Sequence, residues 1–87
     1  MTDAKSCRST FQADEKSRDR FLNKGIIAKY EEIALMDCYK KCQIMTKCES
    51  FSVNEEEKEC HLSKHRRDNV NAELYLERKG FVYYERV

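Results

Sequence analysis

Five cysteines and two histidines carry most of the chemistry this chain could perform. Cys38, Cys42, Cys48 and Cys60 fall close together, and Cys7 stands alone near the start. Thiolates at such spacings can hold zinc, form disulfides or supply a nucleophile. A structural zinc site favours two close pairs of ligands that converge on one point. Cys38 and Cys42 would pass as one pair, but Cys48 and Cys60 have eleven residues between them. His61 adjoins Cys60, and neighbours on a strand point to opposite faces, so the two could not share a metal there. A catalytic thiol needs exposure and an activating base. Only Cys7 is left over, and no histidine lies near it in sequence. The spacing therefore favours disulfides.

Pairing depends on the elements that carry the sulfurs. Leu35, Cys38, Cys42 and Met45 recur at helical spacing and form one apolar stripe, which predicts a helix over 34–45 with Lys40, Lys41 and Gln43 facing away. A short turn then brings Cys48 back near the helix end, beside Cys42. Residues 49–53 and 59–63 alternate like strands around a polar turn and predict an antiparallel hairpin. Its second strand carries Cys60 back toward Cys38. This geometry gives Cys42–Cys48 and Cys38–Cys60, nested bridges worth roughly 2 and 3 kcal/mol by chain entropy. His61 would then face outward as a plain surface side chain, as would His65.

The remaining pattern places an edge strand over 7–12 and a charged loop over 13–20. A strand follows over 26–30 after a turn at Asn23-Lys24-Gly25. Residues 64–72 read as a polar loop. Two closing strands, over 74–76 and 81–85, are separated by a turn at Arg78-Lys79-Gly80. The expected fold class is α+β, one helix packed on a twisted antiparallel sheet of about five strands, stapled by disulfides. Residues 1–6 read as a disordered leader and 7–87 as a single domain.

The 87 residues hold one small core, and domains of this size often add bridges or a metal to offset chain entropy. The net charge of +1 argues against a general nucleic-acid binder. Two glycines, Gly25 and Gly80, cannot write a phosphate-cradling loop. No apolar run is long enough to span a membrane, and residues 1–5 lack a signal-peptide core, so a secreted chain would be a mature segment. No esterase, metalloprotease or paired-carboxylate signature is written, so the expectation is a non-enzyme without cofactor or metal. Charge is uneven: residues 1–30 carry seven basic and four acidic groups, 31–63 four and eight, and 64–87 six and four.

Among candidate ligand-binding residues, Lys64, Arg66 and Arg67 form the sharpest basic run, with His65 between them. Lys40 and Lys41 could extend it from the outer helix face. Guanidinium forks match sulfate and carboxylate geometry, so a sulfated glycan or an acidic protein patch is the ligand to consider. The competing reading is a solvated basic loop. Glu55-Glu56-Glu57-Lys58-Glu59 lacks the alternating pattern and glycine of a calcium loop and reads as a soluble hairpin tip. Tyr83 and Tyr84 should point to opposite faces of a strand, one into the core and one toward a binding surface.

With the spacing Cys38-x3-Cys42-x5-Cys48-x2-Phe51-x-Val53, then Cys60-x-Leu62-Ser63, the chain resembles the PAN/apple module. The aromatic-rich segment from Tyr75 to Glu85 is similar to that family's closing strand. The resemblance runs from about Cys7 to Val87. It implies an extracellular, non-catalytic binding or adhesion module for a protein or a carbohydrate. It also implies membership of a larger secreted or surface protein. Some members bind heparin-like chains through basic surfaces. Apple-type members join the chain ends with a third bridge. Cys7 sits where its first cysteine belongs, with a partner expected just after Val87. Otherwise Cys7 is free or forms an intermolecular disulfide. The alternative is a cytosolic domain with reduced thiols or a zinc site, acting as a regulatory or structural piece.

Overall fold

A computed structural model describes residues 10–87 of the chain. The expected leader and Cys7 lie outside the described residues. Six strands and one α-helix follow in order: β1 (Phe11–Gln12), β2 (Arg18–Leu22), β3 (Ile26–Glu31), α1 (Leu35–Ile44), β4 (Ser50–Asn54), β5 (Glu59–Ser63) and β6 (Tyr75–Arg86). The class is the α+β one expected, with six strands in place of about five. All pairings are antiparallel, in the order β1-β6-β4-β5-β3, and β2 pairs with β6 off that path.

The helix forms where the apolar stripe ran. Cys38 and Cys42 are buried on its inner face, and Leu35 and Met45 pack partly buried beside them. At its C-terminal end the carbonyls left open by the helix need donors. Arg86, from the far end of the chain, donates from Nη2 to the Cys42 carbonyl at 3.0 Å and to the Cys48 carbonyl at 2.8 Å. The helix is bolted to the sheet by Cys38–Cys60, with a sequence separation of 22, and its end is closed by Cys42–Cys48, with a separation of 6. Phe51 and Val53 on β4 and Leu62 on β5 complete this core at 1% exposure or less.

The β4–β5 hairpin turns on Asn54. Its side-chain oxygen accepts from the backbone N–H of Glu56 at 3.0 Å and of Glu57 at 2.9 Å. Lys58 closes the turn in the left-handed region at φ 56°. Residues 55–58 are exposed, so the acidic run is the solvated hairpin tip.

Three expectations need correction, the third being the exposure of His61. Residues 13–20 are not simply a loop: a 3-10 turn at Glu15–Ser17 leads into β2. The turn expected at Arg78-Lys79-Gly80 is a bulge inside one continuous strand, β6. Between the pairs Arg18↔Val82 and Arg20↔Glu77, two steps along β2 answer five along β6. Gly80 adopts φ 91° there, and its N–H is held by Asp19 Oδ1 at 2.9 Å. A side chain at Gly80 would also run into the Asn54 amide. Glycine and basic residues normally signal reversal; here the partner strand continues past them and keeps the chain extended.

That bulge lets the first half of β6 carry β2 across the sheet face opposite the helix. Phe21 of β2 reaches β5, with its ring 4.8 Å from His61 and 5.1 Å from Phe81. The Leu22 N–H donates to Ser52 Oγ on β4 at 3.2 Å. A second core results, holding Phe21, Leu22, His61, Phe81 and Tyr83 at 9% exposure or less. His61 is therefore not a surface side chain. It does face away from the helix, but β2 covers it.

Candidate binding surfaces

The basic run begins where β5 ends. The Lys64 N–H donates to the Gly25 carbonyl at 3.0 Å, and Ser50 Oγ donates to the His65 carbonyl at 2.6 Å. These contacts fix the backbone of the run. Lys64 is exposed, and Arg66 is half-buried. Arg66 donates to the Arg86 carbonyl at 3.0 Å and lies 3.6 Å from the Asp68 carboxylate.

Arg67 is engaged on every side by its own fold. It donates to both carboxylate oxygens of Asp14, at 3.2 and 2.7 Å, and to the Tyr75 hydroxyl at 3.2 Å. Its guanidinium also lies 3.7 Å from Glu85 and near the rings of Tyr75 and Tyr83. The Arg67 hydrogen bond holds the Asp14 carboxyl well below the usual carboxylate range, and the same bond raises the Arg67 guanidinium. The Arg67 backbone N–H donates to the Tyr83 hydroxyl, which in turn donates to Glu85. Burial, above all, pushes the Tyr83 phenol up. This clasp ties the loop after β5 to the 3-10 turn before β2 and to β6. Its two halves lie 53 residues apart in sequence, which is why composition and local spacing did not reveal it.

Lys40 and Lys41 lie elsewhere. They line a groove of about 790 Å³ between α1 and the end of β3, together with Tyr30, Glu31, Glu32, Ile33, Asp37 and Ile44. The Lys41 ammonium sits 4.8 Å from the Tyr30 ring centre. Tyr30 pairs with Cys60 near one end of the β3–β5 ladder, whereas Lys64 follows Ser63 at the other end. The structure thus separates the helix lysines from the basic loop.

Of the two expected tyrosines, Tyr83 is fully buried in the second core. Tyr84 lies on the helix side, half-buried and stacked on Phe51 at 4.9 Å. With Phe11, Leu35, Met36 and Tyr39 it lines a smaller apolar groove of about 300 Å³.

His61 lies buried between β5 and β2. Burial, opposed by the Glu59 carboxylate 3.4 Å away and reinforced by Lys29 and Arg78, lowers its pKa below the ordinary 6.5. The sulfurs of Cys38, Cys42, Cys48 and Cys60 are paired with one another and offer no thiolate to a metal. Among the described residues, no group of three or more His, Cys, Asp or Glu side chains is placed to share a metal ion. No helix is long and apolar enough to cross a membrane.

Comparison with known proteins adds one finding. The family model described as the PAN domain matches residues 7–87, a span that takes in every element above. A search of curated proteins finds no match.

Proposed function

The chain belongs to the PAN domain family, and from that premise we propose that it is an extracellular, non-catalytic module that binds a protein or a carbohydrate ligand. Domains of this family are commonly protein- or carbohydrate-binding modules and are generally non-catalytic. The observation that carries the reading to this chain is the pair of bridges in its core, all four sulfurs at 0% exposure. Disulfides of this kind form and persist in oxidising compartments. They hold a rigid helix–sheet body from which loops and grooves can meet a ligand. Intact mass with and without reduction tests the compartment side. Alkylation after reduction should add four groups more than alkylation of the untreated protein. Five reactive thiols or bound zinc in the untreated protein would favour the cytosolic alternative instead.

The basic loop supports a sulfated glycan as one ligand. Lys64 and Arg66 are its surface members, whereas Arg67 is spent on Asp14 and Glu85. Glycan-array binding and heparin elution above about 0.2 M salt are the expected results. Charge reversal at the exposed Lys64 should lower the elution salt while leaving the thermal midpoint unchanged, whereas reversal at Arg66 should lower both, because it also loses the bond to the Arg86 carbonyl. Reversal at Arg67 should lower the midpoint itself, because it breaks the clasp. Elution of the parent protein at low salt removes the sulfated-glycan reading and leaves a protein or an uncharged carbohydrate.

A further inference from the structure

The second core is roofed by a ribbon that stands apart from the main ladder. Strand β4 pairs with β6 only from Phe81 to Glu85, whereas Tyr75–Glu77, the first part of β6, pairs among the described residues with β2. Arg20–Leu22 and Tyr75–Glu77 therefore form a two-stranded ribbon laid over the sheet face opposite the helix. It leaves the sheet at the bulge, where Gly80 takes φ 91°, a conformation that side chains oppose. Its far end is closed on itself, the Asn23 N–H donating to the Leu74 carbonyl at 2.8 Å. Phe21 and Leu22, buried on its underside, hold the ribbon down. So do the Leu22 N–H, which donates to Ser52 Oγ at 3.2 Å, and the Tyr75 hydroxyl, which accepts from Arg67 at 3.2 Å.

Beneath the ribbon lies a base. His61 is 9% exposed, with the Phe21 ring 4.8 Å away and the Phe81 ring 5.7 Å away. On its own strand the Glu59 carboxylate approaches Nε2 at 3.4 Å. From β3, Lys29 stands directly across the ladder, and Glu31 stands one pleat further along, across from Glu59. From β4 the partner is Ser52, which carries no charge. From β6, Arg78 lies over the rings of Phe21 and Phe81, and the Tyr83 hydroxyl is turned to Glu85 and Arg67. From β2, Asp19 and Arg20 are committed to the Gly80 N–H and the Tyr75 carbonyl, and Arg18 is exposed. Glu59 is thus the one carboxylate paired with the imidazole among the described residues, and the charges of Lys29 and Arg78 oppose it. A neutral ring suits this space. An imidazolium there loses its hydration and has a single partner in return. Lifting the ribbon takes Phe21 away and returns the ring to water.

We propose that this ribbon is a pH-responsive flap, closed over His61 while the imidazole is neutral and lifting about the Gly80 bulge when the ring takes up a proton. The rest of the body stays closed, because Cys38–Cys60 bolts the helix to β5 and the β5-β4-β6 ladder does not run through the ribbon. The direction follows from the same surroundings. Burial holds His61 below its ordinary value, so the lifted state binds the proton more readily and gains population as pH falls. The device is independent of the ligand the module binds; acid uncovers the face opposite the helix whatever that ligand is.

Amide hydrogen exchange, followed by NMR on the oxidised full chain, tests this. Between pH 7.5 and pH 5 the protection factor of the Leu22 amide should fall about fivefold or more, in step with the titration of the His61 ring. At pH 5 it should not respond to low urea, the mark of local opening, whereas the slower amides of Cys38 and Cys42 should exchange faster as urea rises. His61→Gln should abolish the fall. Two gentler variants keep the test open should His61→Gln not fold. Glu59→Gln, which removes the paired carboxylate, should deepen the fall, and Lys29→Gln, at an exposed position, should lessen it. Equal protection and equal urea response at Leu22 and in the helix overturn the proposal, because β2 then opens only with the whole domain. Titration of His61 with Leu22 protection unchanged overturns it too, as does a fall that persists in His61→Gln.

Discussion

Removing the bridges one at a time should rank them by the chain each encloses. In the chain-entropy picture a closed loop of 22 residues is worth about 3.4 kcal/mol at 25 °C and one of 6 residues about 2.2 kcal/mol. Cys42–Cys48 is nested inside the larger loop and shortens it to roughly 16 residues while it remains closed, which trims the first figure to about 3.1 kcal/mol. All four sulfurs are fully buried, so replacement by alanine removes similar packing from each pair. The C38A/C60A variant should therefore be less stable than C42A/C48A by about 1 kcal/mol. Urea unfolding measures this. The chain has no tryptophan and five tyrosines, so circular dichroism and tyrosine fluorescence are the probes. C38A/C60A should also show the steeper denaturant slope, because its unfolded chain is less constrained. The structure holds a competing effect: the short bridge positions the Cys42 and Cys48 carbonyls that Arg86 binds. If C42A/C48A proves as costly as C38A/C60A, or costlier, that local network dominates and the loop-entropy argument fails for this domain.

Lys58 occupies the left-handed region at φ 56°, so Lys58→Gly should stabilise the domain by about 0.5–1 kcal/mol and raise the thermal midpoint by several degrees; a lower midpoint would show that the turn is not strained. Phe21 anchors the second core against His61 and Phe81, and Phe21→Ala should cost about 3–5 kcal/mol in urea unfolding. A loss below about 1 kcal/mol would mean that β2 lies loosely on the sheet. His61 is held below its ordinary 6.5 mainly by burial, so the unfolded chain takes up the proton more readily than the native one. Its contribution to stability is fully present above pH 6.5 and drains away as pH falls toward the lowered native value. Thermal midpoints recorded between pH 7.5 and 5 should fall, and His61→Gln should flatten that part of the profile; an unchanged slope would place the effect on other groups.

The helix, the hairpin and the two bridges were legible because each is a local pattern. Residues four apart share a helix face, and alternation on both sides of a polar turn makes a hairpin, so the sulfur positions followed. The second core was not legible. It depends on β6 continuing through Arg78-Lys79-Gly80, where residue types signal a turn and only the pairing with β2 keeps the strand extended. His61 alternates correctly away from the helix, yet alternation reports direction and not cover. Phe21, which provides the cover, lies forty residues earlier, directly after the charged stretch 13–20, where no local pattern marks a strand. The partners of Arg67 were hidden for the same reason. Its run looks like free positive charge until Asp14 and Glu85, from other elements, are brought alongside.

The same distinction governs what the near-zero net charge means. Folding averages the acidic middle third and the basic flanks only in part: Lys29 and Arg78 act on His61 beside Glu59, whereas Lys64 stays exposed at the other end of β5. Glu59 begins that strand beside Glu31 and the exposed hairpin tip, and Ser63 ends it beside Lys64. Four residue steps separate these ends, about 13 Å of extended chain. At physiological salt the screening length is about 8 Å, so the two ends scarcely sense each other through solvent. An approaching partner therefore meets the exposed Lys64 end separately from the Glu59 end. Charge reversal at Glu59 should therefore leave heparin retention nearly unchanged, whereas reversal at Lys64 should lower it.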